Sequence, residues 1–268
     1  MRRRVLYIVG LVLFFTVVIG LPVAMSFLSI PPSCVDGEIN QGETAPDKGG
    51  PCPNVDTNTS APSSVVWTRA FKVRNGSFSA TSYIQNPNDH AAIANISYIF
   101  SLYDSQNILI AERRGSTFIM PGGITPVYEP DIDTGNRIAA RAFFRFTDTG
   151  TWRRYDDMAK SISVSDRKLT DATAVPRLEA TATNNDVSAR TDVTFVAVIF
   201  DTAGNAFASS ATKVDRLAPG EPTQIVFTWP DPFVLQVGRV DIIPVVAPRQ
   251  AWTAPCVVVN DVVQCQAQ

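Results

Sequence analysis

The chain has 268 residues, 45% hydrophobic and 18% charged, with 23 basic against 25 acidic side chains and a net charge of −2. That balance, with only five lysines, excludes the clustered basic surface that nucleic-acid binding needs. A single histidine, His90, excludes sites built from several histidine ligands or from an acid–base histidine pair.

The chain opens Met1-Arg2-Arg3-Arg4, and Val5 to Ile30 then runs without a charge. As a helix this run exceeds the ~30 Å hydrocarbon core of a bilayer. The arginines hold the N-terminus in the cytoplasm, while Asp36, Glu38, Glu43 and Asp47 precede the first lysine, Lys48. The expectation is a single-pass cell-membrane protein, N-terminus inside and bulk extracytoplasmic. Pro22 bends or shortens the helix. Cleavage after the small residues Ala24-Met25-Ser26, and lipidation at Cys34, are the rival readings; all three place the bulk outside the cytosol.

Residues 34–52 carry no apolar periodicity, so they form a loop rather than a core element. In an oxidising compartment Cys34 and Cys52 pair across it. The segment resembles a short Cys-rich motif of extracellular proteins, C-x-D-G-x-x-N-x-x-E-x-x-x-D-C-G-G-x-C-x-x-C. Cys34, Asp36, Gly37, Asn40, Glu43, Asp47, Gly49, Gly50 and Cys52 match it, whereas its second and fourth cysteines fall at Lys48 and Val55. Loss of one disulfide fits that pair of changes and leaves Cys34–Cys52. Asp36, Glu38, Asn40, Glu43 and Asp47 are oxygen ligands available to calcium, though Gln41 stands where an EF-hand loop needs glycine. The bland reading is a solvated juxtamembrane loop, followed by a polar linker to residue 64.

From Val65 onward, turn residues punctuate short alternating apolar runs, and these runs repeat. Ser97–Asp104, with Tyr98, Phe100 and Leu102 on one face, corresponds to Thr194–Asp201, with Phe195, Ala197 and Ile199, at an offset of 97. Ala111 and Ala208 follow at the same offset, then Pro121-Gly122 and Pro219-Gly220 at 98. Upstream, Tyr83–Asn88 aligns with Ala180–Asn185; downstream, Ala140–Phe146 aligns with Val240–Val246. Period-two runs with frequent turns predict antiparallel sandwiches rather than βαβ units. The fold expectation is all-β: two tandem immunoglobulin-like sandwiches after one N-terminal transmembrane helix.

Phe100-Ser101-Leu102-Tyr103-Asp104 reads F-x-L-Y-D. It resembles the signature of the FxLYD domain, an immunoglobulin-like sandwich of prokaryotic envelope proteins. The second copy keeps Asp201 and an aromatic before it but loses the leading Phe. The whole chain also resembles uncharacterised single-pass bacterial envelope proteins of this layout. The resemblance implies fold and location, and no shared active site. Physically, Phe100 and Leu102 fill a core, Tyr103 points oppositely, and Asp104 accepts turn N–H groups.

Residues 256–265, Cys-Val-Val-Val-Asn-Asp-Val-Val-Gln-Cys, predict a hairpin turning at Asn260-Asp261, with Cys256 opposite Cys265 and within reach of a disulfide. Its valines dock on the second module or on a partner strand. Asp156-Asp157 read as solvent-facing residues of the interdomain connection, with Trp152-Arg153-Arg154 before them and Trp152 a residue stacked on arginine or a binding hot spot. His90 lies in a turn, and no phosphate loop, CxxC or His-x-x-x-His occurs. The expected organisation is 1–4 cytoplasmic, 5–30 membrane helix, 31–64 loop and linker, 65–155 and 156–248 the two sandwiches, and 249–268 the hairpin. The expected function is a non-enzymatic envelope structural or protein-interaction module, with no cofactor and an envelope protein as partner. The alternative is a small-ligand or glycan-binding accessory subunit, which requires a deep pocket with convergent polar groups between the modules.

Overall fold

A computed structural model describes residues 2–21, 23, 33–155 and 157–248, and the backbone of 256–259 and 262–265. The chain forms two compact units, Met1–Cys52 and Pro53–Gln268. The first opens with helix α1 (Arg2–Phe15), continued by a π-helical turn over Thr16–Gly20. Together they are long and apolar enough to cross a membrane or to serve as a signal segment. Residues 24–32, the rest of the expected span and the cleavage site, lie outside the described residues.

The second unit is all-β, as the alternating runs require. Its first half holds β1 (Ser64–Arg74), β2 (Ser77–Asn86), β3 (Ala91–Tyr103), β4 (Leu109–Ile119), β5 (Gly123–Asp133), β6 (Arg141–Phe146) and β7 (Trp152–Arg154). Sheet β1-β2-β5 faces sheet β4-β3-β6, and β7 also pairs with β3. Phe78, Ile84, Phe100, Leu102, Ile119, Val127 and Phe144 fill the space between them. The second half holds β8 (Ile162–Thr170), β9 (Arg177–Asn184), β10 (Arg190–Asp201), β11 (Ala206–Leu217), β12 (Pro222–Thr228) and β13 (Val237–Val245). Sheets β12-β9-β8 and β11-β10-β13 enclose Leu178, Phe195, Ala197, Ile199, Leu217 and Phe227.

The two halves repeat in register. Leu102 pairs with Ala111 and Ile199 with Ala208, and the ladder slips by one residue immediately afterwards in both. Phe100 pairs with Phe144 as Ala197 does with Ile242. One alignment needs correcting. The equivalent of Asn86 is Asn184, not Thr183: both asparagines are fully buried at the end of their strands. A one-residue slip exchanges the faces of a strand, and Ala180 faces the core whereas Tyr83 does not.

The halves are not independent projections. A third buried cluster joins Phe71, Tyr83 and Met120 of the first half to Val196, Val198, Phe200, Ala206 and Val245 of the second. The outer face of β1-β2-β5 therefore packs on the outer face of β11-β10-β13, giving four stacked sheets. Strands β2 and β10 are accordingly buried on both faces. Arg239 sits 4.0 Å above the Phe200 ring at this junction and pairs with Asp241 at 3.0 Å. Trp152-Arg153-Arg154 close the first half as a short strand. These residues are strand β7, and Trp152 packs on the first core. Pairing with β3 gives their backbone groups partners that a free linker would leave to water.

Strands β14 (Cys256–Val259) and β15 (Val262–Cys265) form a hairpin with Cys256 opposite Cys265 and Val259 opposite Val262. The turn and the side chains, and with them any Cys256–Cys265 bond, lie outside the described residues.

Candidate functional site

The signature residues lie in the first core and the turn that follows it. Phe100 and Leu102 are fully buried. Tyr103 is half-buried on the other face, edge-on to Phe143 with ring centroids 5.5 Å apart. Asp104 Oδ1 accepts the N–H groups of Gln106 and Ile108, each at 2.9 Å. Asp201 repeats the arrangement with Ala203 at 2.9 Å and Asn205 at 2.8 Å. Hydrogen bonding, first from the Asn205 N–H, holds the Asp201 carboxyl below the usual carboxylate range. Each turn has one left-handed residue, Asn107 at φ 62° and Gly204 at φ 83°, residue types that tolerate this region. The carboxylates close turns on the surface.

The acidic loop is held the same way. Asp36 accepts the N–H groups of Ser33 and Glu38 and the Asn40 amide. Those bonds, the Glu38 N–H foremost, lower its pKa. Asp47 accepts from Gly37 N–H at 3.1 Å. Glu43, buried at the centre, accepts from Asn40 and Asp47 N–H. Glu38 is exposed. The motif's glycines also have reasons. A Cβ on Gly50 would stand 2.7 Å from the Gly42 carbonyl oxygen, and Gly37 is left-handed at φ 76°. Cys34 and Cys52 are joined by a disulfide with Cα atoms 5.5 Å apart. Glu43 Oε1 lies 2.9 Å from Cys52 Sγ. With both sulfurs bonded, neither supplies a thiolate for the Cys34–Glu43–Cys52 group to hold a metal. The carboxylates of Asp36, Glu43 and Asp47 point at backbone N–H groups of the loop itself.

His90 is exposed in the turn before β3. Asp157 caps a short 3-10 turn through Ala159 N–H and pairs with Lys160.

One concave feature of the second unit lies where its two halves meet. A crevice of about 460 Å³ is lined by Phe71, Ser79 and Tyr128 from the first half and by Phe207, Ser209 and the Trp229–Val234 segment from the second. Ladder pairing places Phe71 opposite Ser79 on the face turned toward the second half. Thr81 Oγ1 donates to Ser209 Oγ at 2.8 Å across the junction, and Trp229 Nε1 donates to the Ser209 carbonyl at 3.0 Å. Trp229 and Phe207 each meet Phe233 edge to face. Burial raises the Tyr128 pKa. The Ser79 hydroxyl is fully buried and interacts with the Tyr128 hydroxyl, which opposes the effect of burial on that phenol. Sequence reasoning missed this site because it needs two halves in contact. A signal was present in Phe195–Phe200, a run apolar at every position, which marks a strand covered on both faces.

No protein-family model and no curated protein matches the chain. Among solved structures, a red sea bream transglutaminase aligns at 10% identity and a TM-score of 0.24, over 69% of this chain and 31% of that one. A Bacteroides uniformis β-glucuronidase aligns at 12% identity and a TM-score of 0.19, over 66% and 22%. The chain thus spans less than a third of either protein, and likeness at this level carries no argument about activity.

Proposed function

We propose that the chain is a non-enzymatic, membrane-anchored extracytoplasmic protein of the cell envelope, built from two FxLYD-like modules that present a rigid surface to a protein partner. The observation that carries this reading is the pairing of an N-terminal apolar helix with the disulfide-closed loop that follows it. A disulfide of this kind persists only in an oxidising compartment. The FxLYD assignment rests on Phe100, Leu102, Tyr103 and Asp104, whose positions suit core filling and turn closure. Alkaline carbonate extraction of membranes tests the anchor. The full-length chain stays in the pellet and carries Cys34–Cys52 in non-reducing mass spectrometry. Release of a chain lacking its first thirty or so residues would favour cleavage instead.

A second reading, a small-ligand or glycan-binding accessory subunit, is favoured by the crevice between the modules. Its volume falls within the ~300–1,000 Å³ of ligand sites, and its lining is aromatic with a few polar groups.

A further inference from the structure

We infer that the free edge of β1 is a docking site for an extended acidic peptide segment of a partner protein, which joins the β1-β2-β5 sheet as an added strand. The inference rests on the proposed role of the modules in presenting a rigid surface to a protein. β1 ends its own sheet and β6 ends the neighbouring one. Because the sheets stack, β1 runs beside β6 on one side and beside β11 on the other. A crevice of about 470 Å³ opens there, lined by residues 68–72 of β1, 140–143 of β6 and Ala206-Phe207 of β11. Three observations select its occupant. First, the ladder of β1 with β2 runs regularly from Trp67 to Lys72 and shifts at both ends. Alternate residues of such an edge turn their N–H and C=O groups to the open side, where a further strand can take them. Second, Ala70, Ala140, Ala142 and Ala206 are small, which leaves space for the side chains of an added strand on both of its faces. Third, Arg69, Lys72 and Arg141 line the crevice and are exposed, and no acidic residue lines it among the described residues. Arg141 donates to the neutral Asn107 amide, and Arg69 to the Asn205 amide and the Ala206 carbonyl. Asp201, which feels the Arg69 charge, is committed to the N–H groups of its own turn. Cations guard an open edge against strands in general, but they attract one that carries carboxylates.

The test uses the full chain in nanodiscs of zwitterionic lipid and a fluorescein-labelled heptapeptide alternating glutamate with valine, read by fluorescence anisotropy. Saturable binding is expected, with a dissociation constant below about 100 µM. Lys72→Glu combined with Arg141→Glu weakens it at least about tenfold at an unchanged melting temperature, and the lysine–valine counterpart peptide binds at least about tenfold more weakly. N-methylation of one alternate set of peptide amides abolishes binding while methylation of the other set preserves it, because only one set faces β1. Absence of saturable binding, or binding that the double variant leaves unchanged, overturns the site. Binding indifferent to methylation of either set, and displaced by polyphosphate, overturns strand addition in favour of a general anion surface. Alkaline carbonate extraction separates this inference from the reading beneath it. A chain that stays in the pellet but rejects the peptide loses this inference alone. A chain that carbonate releases but that binds the peptide keeps this inference and loses the anchor.

Discussion

Asn86 and Asn184 occupy the same place in the two halves of the molecule, and each holds its sandwich corner together through one amide. Asn86 Nδ2 donates to the Ala91 and Met120 carbonyls, both at 2.7 Å, and its Oδ1 accepts from Asn88 N–H. Asn184 Nδ2 donates to Ser188 and Leu217, and its Oδ1 accepts from Asp186 N–H. Leucine at position 86 would deprive the carbonyls of two buried residues, Ala91 and Met120, of this donor, and at position 184 the carbonyl of buried Leu217. Asn86→Leu and Asn184→Leu are each expected to lower unfolding free energy by about 2–4 kcal/mol. Urea titration of either variant with an unchanged midpoint would refute the shared role.

The junction between the sandwiches is apolar and fully buried at Val198. Val198→Asp places a carboxylate there without a partner, at a cost of several kcal/mol. The phenylalanines and valines of the two inner cores are untouched. Calorimetry is expected to show one cooperative transition in the parent and two in V198D, one per sandwich. A single transition in V198D at the parental temperature would contradict the four-layer packing.

Three tyrosines with raised pKa values, Tyr83, Tyr98 and Tyr128, link stability to alkaline pH, and the first two are the most directly tested. Burial foremost, then the Asp241 charge, raises the Tyr83 pKa above its ordinary value near 10. Burial, then the hydrogen bond to Glu129, does the same at Tyr98. The folded state therefore keeps its phenol protons where the unfolded chain releases them. Stability is complete below about pH 10 and falls above it, approaching ~1.4 kcal/mol per pH unit for each tyrosine. Tyr83→Phe and Tyr98→Phe should each flatten the decline between about pH 10 and 12. Urea midpoints whose alkaline slopes match the parent would exclude these groups.

Cys34–Cys52 closes a loop in which Glu43 is the central acceptor. Removing the bridge by Cys34→Ser with Cys52→Ser should destabilise the loop by about 3 kcal/mol in the chain-entropy model. Limited proteolysis reads it: cleavage within 34–52 becomes fast, while the β-sandwich unit stays intact. Equal cleavage rates with and without the bridge would show that hydrogen bonds alone hold the loop.

Much of this architecture was legible in the chain. The alternation of Tyr98, Phe100 and Leu102, and of Phe195, Ala197 and Ile199, identified core faces because a strand has period two. Asp104 and Asp201 marked equivalent turns because a short carboxylate closes them locally. The hairpin register followed from Cys256 and Cys265 framing a symmetric valine run. What was illegible depended on contacts between elements remote in sequence. Val196, Val198 and Phe200 read as ordinary strand residues until a second sheet is placed over them. Asn86 was aligned one residue off because insertions in turns leave no trace in a run of small polar residues. The pairing of Trp152 with β3 left no pattern because a three-residue strand is too short to show a period.

The topology of the chain is tested most directly at Val187, which is 90% exposed in the connection between β9 and β10. Cells producing Val187→Cys are treated with a membrane-impermeant maleimide, with the parent chain as the blank. Labelling of intact cells is the expected result for a body held outside the membrane by its N-terminal helix. Labelling that appears only after lysis would place that body in the cytosol and contradict the account.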